Sequence, residues 1–221
     1  MWLGGAISYT DGNNDFANGD GDSETYAFTG YGSWLADNGM FVDVTGKVGR
    51  LKNSFDISTT LGTASGSYNT NAFSLSAEAG WRLHPLDNSL YVEPQVEMMY
   101  GRVLDADYTT SMGVAVEHEA VDTLIGRVGF VLGLKCPNNR GNTYVRASIL
   151  HDWQGDAEST FTKGGQTKRI SEELGDTWLE YGVGANFNAT KNLHLYADLE
   201  ATEGAKVETS YRFNLGARWS F

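Results

Sequence analysis

The sequence predicts an all-β fold, an antiparallel up-and-down β-barrel that crosses a membrane. Three observations predict it: segments of apolar–polar alternation, connections that alternate between short and long, and large aromatic side chains near the ends of apolar faces. A membrane-spanning helix needs a long apolar run, which the 221 residues lack. Alternating strands can span a membrane at the polar mean hydropathy of −0.34.

Ten segments have strand character, and no long amphipathic helix competes with them. The stretch "KRISEELGDTW" is expected to form at most one turn of helix within a loop. Three prolines and 27 glycines suit long, strongly curved strands. The predicted strands, in order, are 2–10, 25–36, 40–51, 72–84, 90–103, 123–135, 143–153, 177–188, 193–202 and 209–221.

The connections alternate in length. Short connections contain "DNG", "PLDNS", "PNNRGN" and "TKN", an intermediate one reads "EGAKVE", and the four long ones are 11–24, 52–71, 104–122 and 154–176. A meander with its tight turns at one end and polar loops at the other is typical of an outer-membrane barrel. A soluble sandwich would mix its connections and need Greek-key crossings.

Each strand has one apolar and one polar face, and the aromatic residues indicate which face meets lipid. Aromatic residues near the ends of apolar faces match the girdles of membrane barrels; they are Trp34, Trp81, Tyr100, Trp153, Tyr181, Trp219 and Phe221. The polar faces carry both signs of charge, which can neutralise one another in a narrow lumen. The charged residues predicted to face the lumen are Asp43, Lys47, Glu78, Arg82, Glu93, Glu97, Arg127, Arg146, Glu180, Arg212 and Arg218, with Lys135, Asp198 and Glu200 on the same faces.

Composition excludes several classes of partner. A net charge of −12 argues against nucleic acid, because phosphate binding needs clustered Lys and Arg. The single cysteine, Cys136, has no partner for an internal disulfide and no metal-ligand spacing around it, so no metal or cofactor is predicted. The opening "MWLGGAISYT" lacks the pattern of a signal peptide, so a targeting segment would lie upstream.

The last eight residues, "NLGARWSF", alternate to the very end of the chain. They resemble the C-terminal β-signal of bacterial outer-membrane proteins, with Asn214, Gly216, Trp219 and Phe221 at its defining positions. The resemblance implies that the closing strand faces lipid and is recognised by the barrel assembly machinery through strand pairing.

Interior segments narrow the resemblance further. In this order, "GMFVDVTGKVGRLKNSF", "SLSAEAGWRLHP", "LYVEPQVEMMYGRV" and "LIGRVGFVLG" resemble the translocator (β) domain of type V autotransporters over most of residues 1–221. That family implies a twelve-stranded barrel and a secreted passenger, with long loops extracellular and termini periplasmic. It also implies a helix that threads the lumen, which the lumen-facing charges from Asp43 to Arg218 would contact. The ten strands correspond to the third through twelfth, so the first two strands, the helix and the passenger are expected to be missing from this domain.

The resemblance also raises the question of whether the chain cleaves itself from its passenger. Some members cut their passenger inside the lumen, and Asp43, Glu78 and Glu93 match the acidic positions involved, because a buried carboxylate can assist such chemistry. The scissile segment is absent, so we do not expect catalysis from this chain. We expect Glu93 and Glu97 to pair with Arg82 and Arg127 instead.

Two alternatives remain at this stage. One is an outer-membrane protease or lipase with an active site at the rim, for which His118 in the acidic loop "VEHEAVD" is the candidate; a solvated loop is the competing interpretation. The other is a passive small pore. The acidic stretches "DGNND" and "GDGDSE" lack EF-hand spacing and are predicted to be polar loop.

Overall fold

The computed structural model describes residues 1–60, 62–85, 89–206 and 209–219. Within them the chain forms fourteen strands and one short 3₁₀ turn at Pro137–Asn139. The strands are β1 (Trp2–Phe16), β2 (Gly19–Leu35), β3 (Met40–Thr59), β4 (Gly62–Trp81), β5 (Leu90–Val103), β6 (Ala106–Thr109), β7 (Ala115–His118), β8 (Val121–Lys135), β9 (Gly141–Asp152), β10 (Asp156–Lys163), β11 (Gln166–Glu173), β12 (Thr177–Asn188), β13 (Leu193–Glu203) and β14 (Arg212–Trp219). No helix in this part of the chain is long and apolar enough to cross a membrane.

Ten of the strands form one antiparallel sheet in the order β1-β2-β3-β4-β5-β8-β9-β12-β13-β14. Every neighbour in this sheet is therefore also the next strand of the predicted meander, which confirms the ten predicted segments and their up-and-down topology. In the described residues, β1 pairs only with β2 and β14 only with β13. The sheet curls as in a barrel wall and ends in two edges.

The four long connections are not the irregular polar loops that the sequence predicted. Strands β1 with β2, and β3 with β4, continue as paired hairpins almost to their tips, and β3 and β4 reach 20 residues each. The other two long connections fold into a second sheet in the order β11-β10-β7-β6. The helical turn expected in "KRISEELGDTW" is wrong, because β11 pairs with β10 over most of it. Alternating Thr, Ile and aromatic residues stabilise these extensions as strands.

The outward face of the ten-stranded sheet is apolar over one membrane thickness. On β5, the aromatic Tyr100 lies ten residues after Leu90, about 33 Å along the strand, and a tilt near 45° reduces this to about 23 Å. This height matches the roughly 25 Å apolar band of membrane barrels. Trp34, Trp81 and Trp219 are about half exposed near the tight-turn end of this face, and Trp153 and Tyr181 are similarly exposed near the other.

Pro94 interrupts the wall near its tight-turn end. The pairing of β4 with β5 ends at Gly80 and Gln95, next to Pro94, and resumes only as an isolated bridge between Leu83 and Val92. Pro94 has no backbone N–H, so it interrupts the ladder at this point. Its pairing with Phe130 on β8 persists.

Candidate functional site

Acidic residues from three adjacent strands lie side by side on the inward face. The register places Asp43 of β3 opposite Glu78 of β4, Glu78 opposite Glu97 of β5, and Glu97 opposite Arg127 of β8. Residues opposite one another in a sheet have neighbouring side chains. Three carboxylates and one guanidinium therefore share one level of the lumen.

Arg127 is the centre of this level. Its Nη2 lies 2.6 Å from Glu78 Oε2 and 2.8 Å from Glu97 Oε2, and its Nη1 lies 3.9 Å from Glu180 Oε1 on β12. The Arg127 side chain is only 14% exposed. One largely enclosed cation thus ties together strands on opposite sides of β8.

The ion pairs continue around the wall to the last strand. Arg212 of β14 has one nitrogen 3.7 Å from Glu180 and 3.2 Å from Glu200 of β13, and Glu200 in turn pairs with Arg146 of β9. Glu200 is 6% exposed. We call the connected set Glu78, Glu97, Arg127, Arg146, Glu180, Glu200 and Arg212 the lumen network.

A second, smaller group lies nearer the tight turns. Arg82 Nε donates to Glu93 Oε2, and Gln95 Nε2 donates to Glu93 Oε1 at 2.9 Å. The guanidinium of Arg82 also lies 4.7 Å from the ring centroid of Tyr91, a cation–π contact. The expected pairings of Glu93 with Arg82 and of Glu97 with Arg127 are confirmed.

The remaining predicted lumen residues share the inward face without joining the lumen network. Among the described residues, Asp43, Lys47 and Arg218 take part in no ion pair. Lys47 and Arg218 are exposed, towards opposite ends of the curled sheet. Their prediction as lumen-facing residues agrees with the register, while their role stays a prediction.

Inward aromatic rings packed over glycines are a feature that the sequence analysis missed. Tyr91 covers Gly133, Tyr144 covers Gly184 and Tyr196 covers Gly216, and a Cβ on any of these glycines would overlap the ring. Each ring spans to the next strand because glycine leaves room for it. The sequence does show Gly133 and Gly216 on the polar faces of the predicted strands 123–135 and 209–221. Which ring packs over each glycine depends on the register between strands, which the sequence does not give.

The C-terminal residues predicted as an assembly signal fall on both faces of β14. The amide of Asn214 donates to Asp198 at 2.8 Å, and Gly216 lies under the ring of Tyr196. Trp219 is on the outward face, opposite Leu193. Phe221 lies outside the described residues.

His118 is not in a solvated loop, as one alternative assumed, but on β7 of the small sheet. Its Nδ1 is 2.7 Å from Ser159 Oγ, and its ring lies 5.1 Å from that of Tyr68 and 5.5 Å from that of Tyr108. Burial lowers the pKa of His118 and raises the pKa of Tyr108 to about 12. These contacts describe a packed histidine whose hydrogen-bond partner is a hydroxyl.

The acidic stretches considered for calcium are also strands. "DGNND" is part of β1 and "GDGDSE" part of β2, so the prediction of polar loop is wrong there. In the part of the chain that the structure describes, no three His, Cys, Asp or Glu side chains are grouped to hold a metal ion. Strand pairing separates successive carboxylates onto opposite faces.

Comparison with known proteins identifies the family. The "Autotransporter beta-domain" family model matches residues 1–200. The chain is 31% identical over 224 residues to the pertactin autotransporter of Bordetella parapertussis, and 27% identical over 226 residues to the probable autotransporter YcgV of Escherichia coli. These alignments cover 99% and 100% of this chain but 24% and 23% of the relatives, so the chain spans about a quarter of their length.

Solved structures agree with the fold. The β domain of the Bordetella autotransporter BrkA superposes with a TM-score of 0.75 at 25% identity, covering 99% of this chain and 83% of that one. The translocator domain of NalP from Neisseria meningitidis superposes with a TM-score of 0.80 at 16% identity, covering 99% and 75%. The charged inner face, the apolar outer face and these matches together show that the chain belongs to the autotransporter β-domain family, the outer-membrane β-barrel translocators.

Proposed function

We propose that residues 1–221 act as the outer-membrane anchor of a passenger and help to carry it to the cell surface, with the lumen network contacting the segment that connects the two. The observation that carries this proposal is the side chain of Arg127. Its Nε is buried and has no hydrogen-bond partner among the described residues. A buried N–H of this kind costs free energy unless something in the lumen accepts from it, and a backbone carbonyl or side chain of a threaded helix would do so.

The unpaired sheet edges support the same proposal. Open strand edges are not tolerated in lipid, because their N–H and C=O groups have no partners there. Further strands of the full-length protein would pair with β1 and β14 and close the barrel. The tight turns then lie in the periplasm and the long hairpins outside the cell, as in other outer-membrane barrels.

Two further partners belong to the proposal. The apolar outward face would contact outer-membrane lipid, and the edge of β14 would be recognised by the barrel assembly machinery. Catalysis is not part of it. Asp43, Glu78 and Glu93 were the candidates for self-cleavage, but Glu78 and Glu93 are held by Arg127 and Arg82, which supports a structural role.

The test is site-specific crosslinking in the full-length precursor in cells. A photoreactive phenylalanine analogue at Glu97, on the inward face, is expected to give an adduct with the connecting segment. The same analogue at Val128, which is 64% exposed on the outward face, is the matched control and is expected to react with lipid only. Protease shaving of intact cells reports the passenger at the surface. No polypeptide adduct at Glu97, or no passenger outside, would refute the proposal.

A further inference from the structure

The inner face of the wall changes character beyond the membrane-spanning part. On β3 the inward positions pass from Asp43 and Lys47 to Phe55 and Ile57, and on β4 the inward positions near the tip include Tyr68. The same strand face that carries charges in the lumen therefore becomes apolar in the long hairpins. Strands of 20 residues exceed the 9–11 needed to span a bilayer, so this part lies outside the apolar band.

The small sheet β11-β10-β7-β6 adjoins this part of the wall, with β6 beside the extended part of β4. Tyr108 of β6 stacks on Tyr68 with centroids 5.1 Å apart and contacts the edge of Phe55 at 5.9 Å. Thr70 Oγ1 donates to the carbonyl of Leu104 at 2.7 Å, and the N–H of Ser111 donates to the carbonyl of Ser65 at 2.8 Å. Ring stacking and these hydrogen bonds fix the small sheet relative to the long hairpins.

The long hairpins and the small sheet together line a cavity of about 690 Å³. Its apolar lining comes from the tip of β1, the inward face of β3 and β4, and the small sheet. The residues on which the argument rests are Phe16, Phe55, Tyr68, Val116 and Phe161. Two charged residues of the lining, Asp22 and Lys163, have opposite signs, so the site favours apolar bulk rather than either charge.

We propose that this cavity is an exit clamp: it binds an extended apolar segment of the passenger as that segment leaves the lumen. The inference rests on the proposed function. The position of the cavity supports the exit clamp, because the cavity lies where the lumen-lining face continues beyond the membrane. A chain that leaves the lumen at this end therefore meets apolar side chains where it first meets water. Burying alternate apolar side chains of an extended segment there would favour outward over backward movement.

The experiment places the photoreactive phenylalanine analogue at Phe161, an aromatic-for-aromatic change, in the full-length precursor in cells. Thr160 is the matched control, since it is the next residue on β10 and its side chain points to the opposite face of the small sheet. We expect a passenger adduct from Phe161 during export and none from Thr160. A second pair, Phe161→Asp and Thr160→Asp, is expected to slow arrival of the passenger at the surface only in the first variant.

Each outcome bears on the exit clamp. The exit clamp is overturned if Phe161 gives no adduct although Glu97 in the lumen crosslinks and the passenger reaches the surface. The proposed function then stays intact. Equal adducts from both faces, or adducts of Phe161 with lipid or a second copy of this chain, would also overturn the exit clamp. If neither Glu97 nor Phe161 reacts and no passenger appears outside, the proposed function fails and the exit clamp with it.

Discussion

Replacing Arg127 with methionine tests how far the lumen network stabilises the barrel wall. Methionine keeps much of the side-chain volume and removes the charge. The two carboxylate oxygens of Glu78 and Glu97 both contact Nη2, at 2.6 and 2.8 Å, so they are at most about 5.4 Å apart. Without the cation their repulsion is roughly 3 kcal/mol at an effective dielectric constant near 20.

That magnitude agrees with the general cost of breaking a buried ion pair, about 3–5 kcal/mol. We expect the lower end of this range, because Glu78 and Glu97 keep 20% and 23% of their side-chain exposure and lumen water can partly solvate them. Adding Glu78→Gln and Glu97→Gln to Arg127→Met removes the repulsion, so the triple variant is expected to recover most of the lost stability.

The assay is mobility on a detergent gel after incubation at rising temperature, which reports the temperature at which the compact folded form disappears. Arg218→Met is the control, since this arginine shares the inward face but forms no ion pair among the described residues. Equal melting of Arg127→Met and Arg218→Met would refute the reasoning. So would a triple variant that melts no higher than the single one.

Three further predictions use other parts of the wall. Gly133→Ala must displace the ring of Tyr91, which is 2% exposed, and is expected to lower the free energy of unfolding by about 1–3 kcal/mol. Gly30→Ala is the control, because the space at its Cβ is open, and it should change the gel melting temperature little. Burial lowers the pKa of His118 from its usual 6.5, so below that pH the unfolded state binds more protons than the folded state. The packing of β7 should therefore weaken as pH falls below about 6.5. Hydrogen exchange of β7 at pH 7.5 and 5.5 measures this change, and His118→Gln should abolish the difference. Trp219→Ser is expected to lower the amount of folded barrel in the outer membrane several-fold without changing synthesis, and an unchanged amount on fractionation would contradict a role in assembly.

The sequence predicted the ten-stranded meander because each strand is a local pattern with a period of two. Segment 90–103 matches β5 residue for residue, and 177–188 matches β12. The long connections were misjudged because their glycines and acids are unfavourable in strands, while the pairing that offsets this lies across the hairpin. Positions 62–71, for example, are strand because each faces a residue of β3.

The site was predictable by face but not by partner. Alternation placed Arg127 and Arg218 on the same inward side, yet only the register shows that Arg127 lies beside Glu97 whereas Arg218 lies beside His194. Tyr91 over Gly133 depends equally on register, since a slip of one residue would turn the ring to the lipid face.

The distribution of charge along the chain explains why the lumen network can be dense without being repulsive. The four long connections, 11–24, 52–71, 104–122 and 154–176, contain 16 acidic and 4 basic residues and so carry the whole net charge of −12. The rest of the chain is balanced, with 12 of each sign. Inside the membrane, opposite charges can therefore pair one with another, whereas the surplus acids lie where water solvates them. The overall acidity is thus a property of the long hairpins, and removing a cation of the lumen network, such as Arg127, should cost far more stability than removing a cation from the long hairpins.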